Sequence, residues 1–154
     1  MDKNLNNIFV ISSPSGGGKS SLIEALFSDE RAEKIKLSVS FTTREIRSSE
    51  KNQKDYIFIK EDEFIKKIDD GDFIEYAKVF GNLYGTDKFL TERILRSKDI
   101  ILELDWQGAF SIKKTFKNVV SIFLIPPSYK DLEKRLTIRA VSYTHLTLPT
   151  NREV

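Results

Sequence analysis

At 154 residues, 40% hydrophobic and 31% charged, the chain is long enough for one globular domain with a sizeable core and too apolar to be disordered. Its 25 basic and 23 acidic residues leave a formal net charge of +2, which gives no support to a nucleic-acid partner. The absence of cysteine excludes disulfides and thiolate metal sites. With no apolar leader at Met1-Asp2-Lys3-Asn4 and no run long enough to span a bilayer, a cytoplasmic protein without membrane contact is expected.

The first apolar run, Ile8-Phe9-Val10-Ile11, reads as a strand and leads into Ser13-Pro14-Ser15-Gly16-Gly17-Gly18-Lys19-Ser20. Behind that loop, Leu22, Ile23, Leu26 and Phe27 recur at helical spacing. Strand, glycine-rich loop ending in Gly-Lys-Ser, then helix is the setting of a phosphate-cradling loop. Glycines let backbone amides converge, and the helix adds its positive dipole end. Lys19 supplies a charge to the β/γ-phosphates and the Ser20 hydroxyl a ligand to Mg²⁺. The strict pattern has glycine where this chain has Ser13.

Further on, Leu37, Val39 and Phe41 alternate with Ser38 and Ser40, the period of a half-buried strand. The polar segment from Thr42 to Ser49 puts Arg44 and Arg47 three residues apart in a surface loop. A strand is expected over residues 55–59, then a short helix opened by Glu61, Asp62 and Glu63 and closing near Gly71. In the alternating run from Phe73 to Val79, Glu75 falls on the apolar face with Phe73, Ala77 and Val79. A carboxylate there needs partners, either a structural cation or a ligand rich in donors.

Gly81-Asn82 marks a turn, and Thr86 or Asp87 can cap a helix running to about Ser97. The run Ile100-Ile101-Leu102-Glu103-Leu104-Asp105 reads as a buried parallel strand carrying a terminal acid, Asp105, that orders a metal ion or its waters. A helix over 108–116 and a buried strand over 119–125 follow, stopped by Pro126-Pro127. Ser128 caps a further helix on which Arg135 and Arg139 share a face. From about Ala140 the character changes: Val141 to Thr150 holds no charged residue and no helical period.

The series Ser-Pro-Ser-Gly-Gly-Gly-Lys-Ser-Ser (13–21), Ser40-x-Thr-Thr-Arg44-x-x-Arg47, Asp55-Tyr56, Phe73-Ile-Glu75, Val79-Phe-Gly-Asn-x-Tyr84-Gly85-Thr86, Asp105-Trp-Gln-Gly108 and Pro126-Pro-Ser resembles guanylate kinase, in order, from about Ile8 to Arg139. The resemblance implies an α/β fold with a P-loop nucleoside-triphosphate hydrolase-like parallel sheet core (1–37 and 87–127). It also implies a mixed α/β GMP-binding insertion (38–86) and a partial lid (128–140). The implied reaction is transfer of the ATP γ-phosphate to GMP or dGMP with Mg²⁺.

By the same resemblance, Ser13, Pro14, Ser15, Gly16, Gly17, Gly18, Lys19, Ser20 and Ser21 bind ATP. The metal is held by Ser20 and, through water, by Asp105. Arg44, Arg47 and Tyr56 grip the GMP phosphate, Glu75 takes guanine N1–H and the 2-amino group, and the Ser40 and Thr86 hydroxyls address O6. Tyr84, Gly85 and Asp105 complete that pocket, and Lys19, Arg44, Arg135 and Arg139 act on the transferring phosphoryl group. Residues 141–154 depart from the family pattern and are expected to be a non-native tail of a truncated or frame-disrupted product. Such a chain would lack part of its adenine site and leave apolar surface on its sheet uncovered.

Two alternatives stand beside this reading. A non-catalytic guanylate-kinase-like protein-binding module often loses the phosphate loop or the substrate arginines, whereas this chain keeps both. A different P-loop enzyme is the other alternative, although the Asn-Lys-x-Asp signature of GTPases is absent. Oligomeric state is not legible in the sequence.

Overall fold

The computed structural model describes residues 6–48 and 50–142, the side chains of 139–142 excepted. The expectations for Arg139 as a side chain and for a non-native tail beyond Ser142 lie outside the described residues.

Four parallel strands form the central sheet: β1 (Ile8–Ser12), β2 (Ile35–Leu37), β7 (Asp99–Glu103) and β8 (Val119–Phe123), in the order β2-β7-β1-β8. Period-two alternation sends their side chains to two apolar layers. Ile8, Val10, Ile100 and Leu102 face α3 (Lys88–Leu95) and α4 (Trp106–Thr115), packing on Leu95, Ala109 and Ile112. Ile11 and Ile101 face α1 (Lys19–Phe27) and pack on Ile23. Because the strands are parallel, the ends of β1, β7 and β8 all open at one edge, where ligands of such sheets bind. A buried hydrogen bond from the Ser12 hydroxyl to the Leu104 carbonyl (2.7 Å) ties two of those ends together.

The expected strand over 37–41 is two strands in two sheets. Leu37 ends β2 in the central sheet, and Phe41 begins β3 (Phe41–Thr42) in a second one. The alternation of Leu37 and Phe41 is real, but each fills a different core. The second sheet has the order β4-β3-β6-β5, with β4 at Ile57–Phe58, β5 at Phe73–Val79 and β6 at Asn82–Asp87. Its α2-facing side packs Phe41, Leu83 and Phe73 around fully buried Phe64 of α2 (Glu61–Asp69).

The β5–β6 turn is centred on Phe80 and Gly81, one residue earlier than expected. Both take left-handed backbone (φ 48° and 81°), which suits the twist of a two-residue hairpin. A second difference matters more. A bulge between Phe73 and Glu75 sets Phe73 opposite Asp87 but Glu75 opposite Thr86. The extra residue inverts the alternation, so Phe73 joins the α2 core and Glu75 lies on the opposite face, not beside it.

Asp87 caps α3 by accepting the Leu90 amide (2.9 Å) and also receives Lys67 Nζ (3.0 Å), which reaches Asp72 as well (2.9 Å). After β8, the Ser128 hydroxyl accepts the Asp131 amide and starts α5 (Tyr129–Ser142). On β8 and just beyond it, Phe123 and Ile125 are exposed. No helix among the described residues is long and apolar enough to cross a membrane.

Gly85 is the tightest point of the second sheet: a methyl group there would meet Phe73 Cδ1 at 2.9 Å and Phe64 Cζ at 3.0 Å. Those rings stack on each other at 4.5 Å and have no room to yield. Gly85→Ala is therefore expected to lower unfolding stability by about 1–3 kcal/mol, read as a shift in the urea midpoint at unchanged slope.

Candidate active site

The glycine loop leaves β1 and closes on itself through the Gly17 amide to the Pro14 carbonyl (2.9 Å). Gly18 sits at the N-cap of α1 with φ 96°, a conformation costly for any residue with a side chain. It delivers Lys19 and Ser20 as the first residues of the helix, where backbone amides have no partner within the helix and favour an anion. Ser13, at the position where the strict pattern has glycine, turns its hydroxyl onto the Pro14 carbonyl (3.1 Å) and fits within the loop. Around the loop lies a cavity of about 1030 Å³, which residues 13–21 share with Tyr56, Glu103 and Arg135.

Arg135 reaches back from α5 to the loop, its Nη1 3.5 Å from the Gly16 carbonyl, while Leu132 and Leu136 of the same helix approach Gly16. Lys19 Nζ lies 3.5 Å from Glu103 Oε2 in a partly exposed ion pair. The β1–β7 register explains this contact, since Ile11 pairs with Glu103 and the two strands end together.

The acid that contacts Lys19 and lines the loop cavity is Glu103. The strand stops at Glu103, and Asp105 two residues on accepts the Gly108 amide (2.9 Å) as the N-cap of α4. Sequence reasoning passed over Glu103, although a carboxylate inside an apolar run is the same signal that drew attention to Glu75.

A second cluster forms on the second sheet. Thr86, Tyr84 and Ala77 share the face of Glu75, as the pairs Glu75–Thr86 and Ala77–Tyr84 require. The fully buried Thr86 donates its hydroxyl to Glu75 Oε1 at 2.5 Å. Burial pushes the Glu75 carboxyl above its ordinary range and the charge of Asp105 adds to the rise, against the Thr86 hydrogen bond. A methyl at Gly108 would approach Glu75 Oε2 to 3.2 Å, so the start of α4 leaves space for this carboxylate.

Tyr56 packs edge-on against Tyr84 (5.9 Å), and Arg44 lies 5.5 Å from the Tyr56 ring centroid. Burial raises the Tyr56 phenol, which therefore remains a donor at neutral pH. Arg44 is also ion-paired with Glu50 (2.7 Å), an acid in a loop with no periodicity to single it out. Arg47 is exposed in that loop, and Ser40 is half-buried just before β3. Gly85 is set apart from this group: its open side faces Phe73 and Phe64, across the sheet from Glu75. Tyr56 joins the two halves, since it belongs to the aromatic cluster and also lines the loop cavity.

A family model described as guanylate kinase matches residues 5–147. Curated guanylate kinases from Shewanella violacea and Thermotoga maritima are 48% and 46% identical over 134 and 133 residues, each covering 86% of this chain. The chain spans 64% and 63% of those relatives' lengths. The crystal structure of guanylate kinase from Anaplasma phagocytophilum superimposes with a TM-score of 0.72 at 39% identity, covering 94% of this chain and 74% of that one. A match that runs from the first strand through both sheets and into the last helix places the chain in the guanylate kinase family.

Proposed function

We propose that the protein transfers the γ-phosphoryl group of ATP to GMP or dGMP in the cytoplasm, giving ADP and the corresponding diphosphate. The observation that carries this reading is the composition of one sheet face. Glu75, an acceptor for the N1–H and 2-amino group of guanine, shares it with Tyr84, which Arg44 reaches, and Tyr56 links that face to the loop cavity. Adenine has neither an N1–H nor a 2-amino group, so AMP would leave Glu75 facing acceptors or nothing. Arg44, Arg47 and the phenols of Tyr56 and Tyr84 supply donors for the acceptor phosphate. In this geometry Thr86 gives its one hydroxyl proton to Glu75, which leaves Ser40 as the hydroxyl for O6.

The loop, Lys19 and the α1 amides hold the ATP phosphates. Mg²⁺ binds through few protein oxygens and keeps several waters, so the lack of a three-acid cluster among the described residues does not conflict with it. The Ser20 hydroxyl and the Glu103 carboxylate both line the cavity and suit such an ion, which neutralises phosphate charge when bound. The nucleophile is an anionic phosphate oxygen and needs no strong base, so the residues act by alignment and charge. The contact of Arg135 Nη1 with the Gly16 carbonyl (3.5 Å) supports the second role for that side chain.

ADP formation measured in parallel with GMP, AMP, dTMP and no acceptor tests the assignment; faster turnover with an acceptor other than GMP or dGMP would sink it. Lys19→Met is expected to slow turnover about 10²–10³-fold while GMP binding, read by calorimetry, is kept. Glu75→Gln should erase most of a GMP-over-AMP preference that sites of this kind set at about 10⁴.

The same substitution has a pH signature. Because the folded Glu75 carboxyl titrates above its ordinary range, the stability it contributes is complete below that range and is lost as pH rises through the raised value. Without nucleotide, Glu75→Gln should therefore melt above wild type at pH 7, with the gap closing below about pH 4.

A further inference from the structure

Arg44 is held on every side before any anion reaches it. Its Nη1 donates to the Glu45 carbonyl at 2.8 Å and its Nη2 to Glu50 Oε1 at 2.7 Å. The Tyr84 phenol is a further hydrogen-bond partner, and the rings of Tyr56 and Phe58 lie 5.5 and 5.7 Å from the guanidinium carbon. Only 14% of the Arg44 side chain and 15% of the Glu50 side chain are exposed, so this is not a solvated surface pair. The other Glu50 oxygen, Oε2, accepts the backbone amide of Arg47 at 3.0 Å, and the Glu50 amide donates to the Arg47 carbonyl at 3.0 Å.

One carboxylate thus grips the guanidinium of one arginine and the main chain of the next. Nothing in the sequence pattern or in the proposed chemistry had given Glu50 a part.

We infer that Glu50 is a positioning residue for the acceptor phosphate: it fixes the plane of Arg44 and the loop that carries Arg47, so the donors left on Arg44 face the incoming anion. The inference rests on the GMP reading above. A guanidinium has five N–H donors, and the Glu45 carbonyl, Glu50 and the Tyr84 phenol engage three of them, leaving two for a phosphate. A side chain already fixed loses little freedom when its ligand arrives, which favours binding. Glu50 is not a competitor for the site in this geometry, because its second oxygen is committed to its own loop and moves with it.

The role predicts a dependence on phosphate that a merely structural ion pair does not have. By calorimetry with the whole chain, Glu50→Gln should weaken GMP binding about tenfold and leave guanosine binding unchanged. In turnover, KM for GMP should rise with kcat and KM for ATP nearly constant. In an Arg44→Ala background, Glu50→Gln should cost GMP binding less than it does in wild type, the remaining loss acting through the loop that carries Arg47. Glu50→Asp keeps the charge but is one methylene too short to span both contacts. It should show the same split in smaller measure, and it serves if the glutamine variant fails to fold.

Wild-type binding of GMP with equal or tighter binding by both Glu50 variants overturns the inference and leaves the proposed function standing. Equal losses for GMP and guanosine overturn it too, since the change would then be structural. A wild-type chain that binds no GMP overturns both.

Discussion

Glu75 sits on β5 with its carboxyl mostly shielded from water and the charge of Asp105 close by, and both raise the cost of ionising it. The surroundings offset this through Thr86, itself fully buried, whose hydroxyl and main chain both hydrogen-bond to the carboxylate. Three features of the backbone exist around that arrangement. The bulge after Phe73 turns Glu75 away from the α2 core, the β5–β6 register puts Thr86 opposite it, and Gly108 leaves the space where α4 begins. Each is local, and none brings a cation to Glu75. A carboxylate whose ionisation burial disfavours is well matched to a neighbour that brings two N–H donors on one edge.

The cations of the site show the converse. Lys19 is paired with Glu103 and Arg44 with Glu50, one pair in each half. Their environments differ. The Lys19–Glu103 contact is 3.5 Å long and partly exposed, a pair that contributes little to stability. Arg44–Glu50 is shorter, more enclosed and supported by rings and a carbonyl, so it defines geometry rather than merely balancing charge. The glycine loop thus carries a point charge on a flexible stem, and the second sheet a planar one enclosed by its neighbours, as expected from the chemistry of lysine and arginine.

The parts of this fold legible in the sequence are those where local signal and tertiary role agree. The glycine loop, α1, α2 and the strands around Ile8 and Ile100 are set by period and punctuation alone. Glu75 was visible as a carboxylate among apolar residues, yet its face was misjudged, because a bulge changes the alternation without changing the composition. Leu37 and Phe41 kept the period of one strand while the chain crossed between two sheets, a tertiary event that leaves no mark on the pattern. Asp105 drew attention as a strand-end acid, but the last paired residue is Glu103, and a difference of two positions moves the acid from a helix cap to the loop. Glu50 gave no signal, because its role depends on which arginine folds back to meet it.

The two halves of the site lie on separate sheets, and the chain passes between those sheets at residues 38–40 and again at Asp87. These crossings are not equally stiff. Asp87 is 6% exposed and bonded at both ends: its carboxylate caps α3 and holds Lys67, while its carbonyl accepts the Thr91 hydroxyl. Lys67 in turn reaches Asp72 and lies over the Phe41 and Phe73 rings, so α2, β5 and α3 meet in one charged knot with aromatic walls. At the other crossing, Ser38 donates to the Ile101 carbonyl, and Ser40 receives the Ile57 amide. Val39 lies between these contacts without a strand partner. The crossing at Asp87 is thus tied by a part-buried ion pair, a helix cap and a hydroxyl bond, and the crossing at Ser38–Ser40 by main-chain hydrogen bonds.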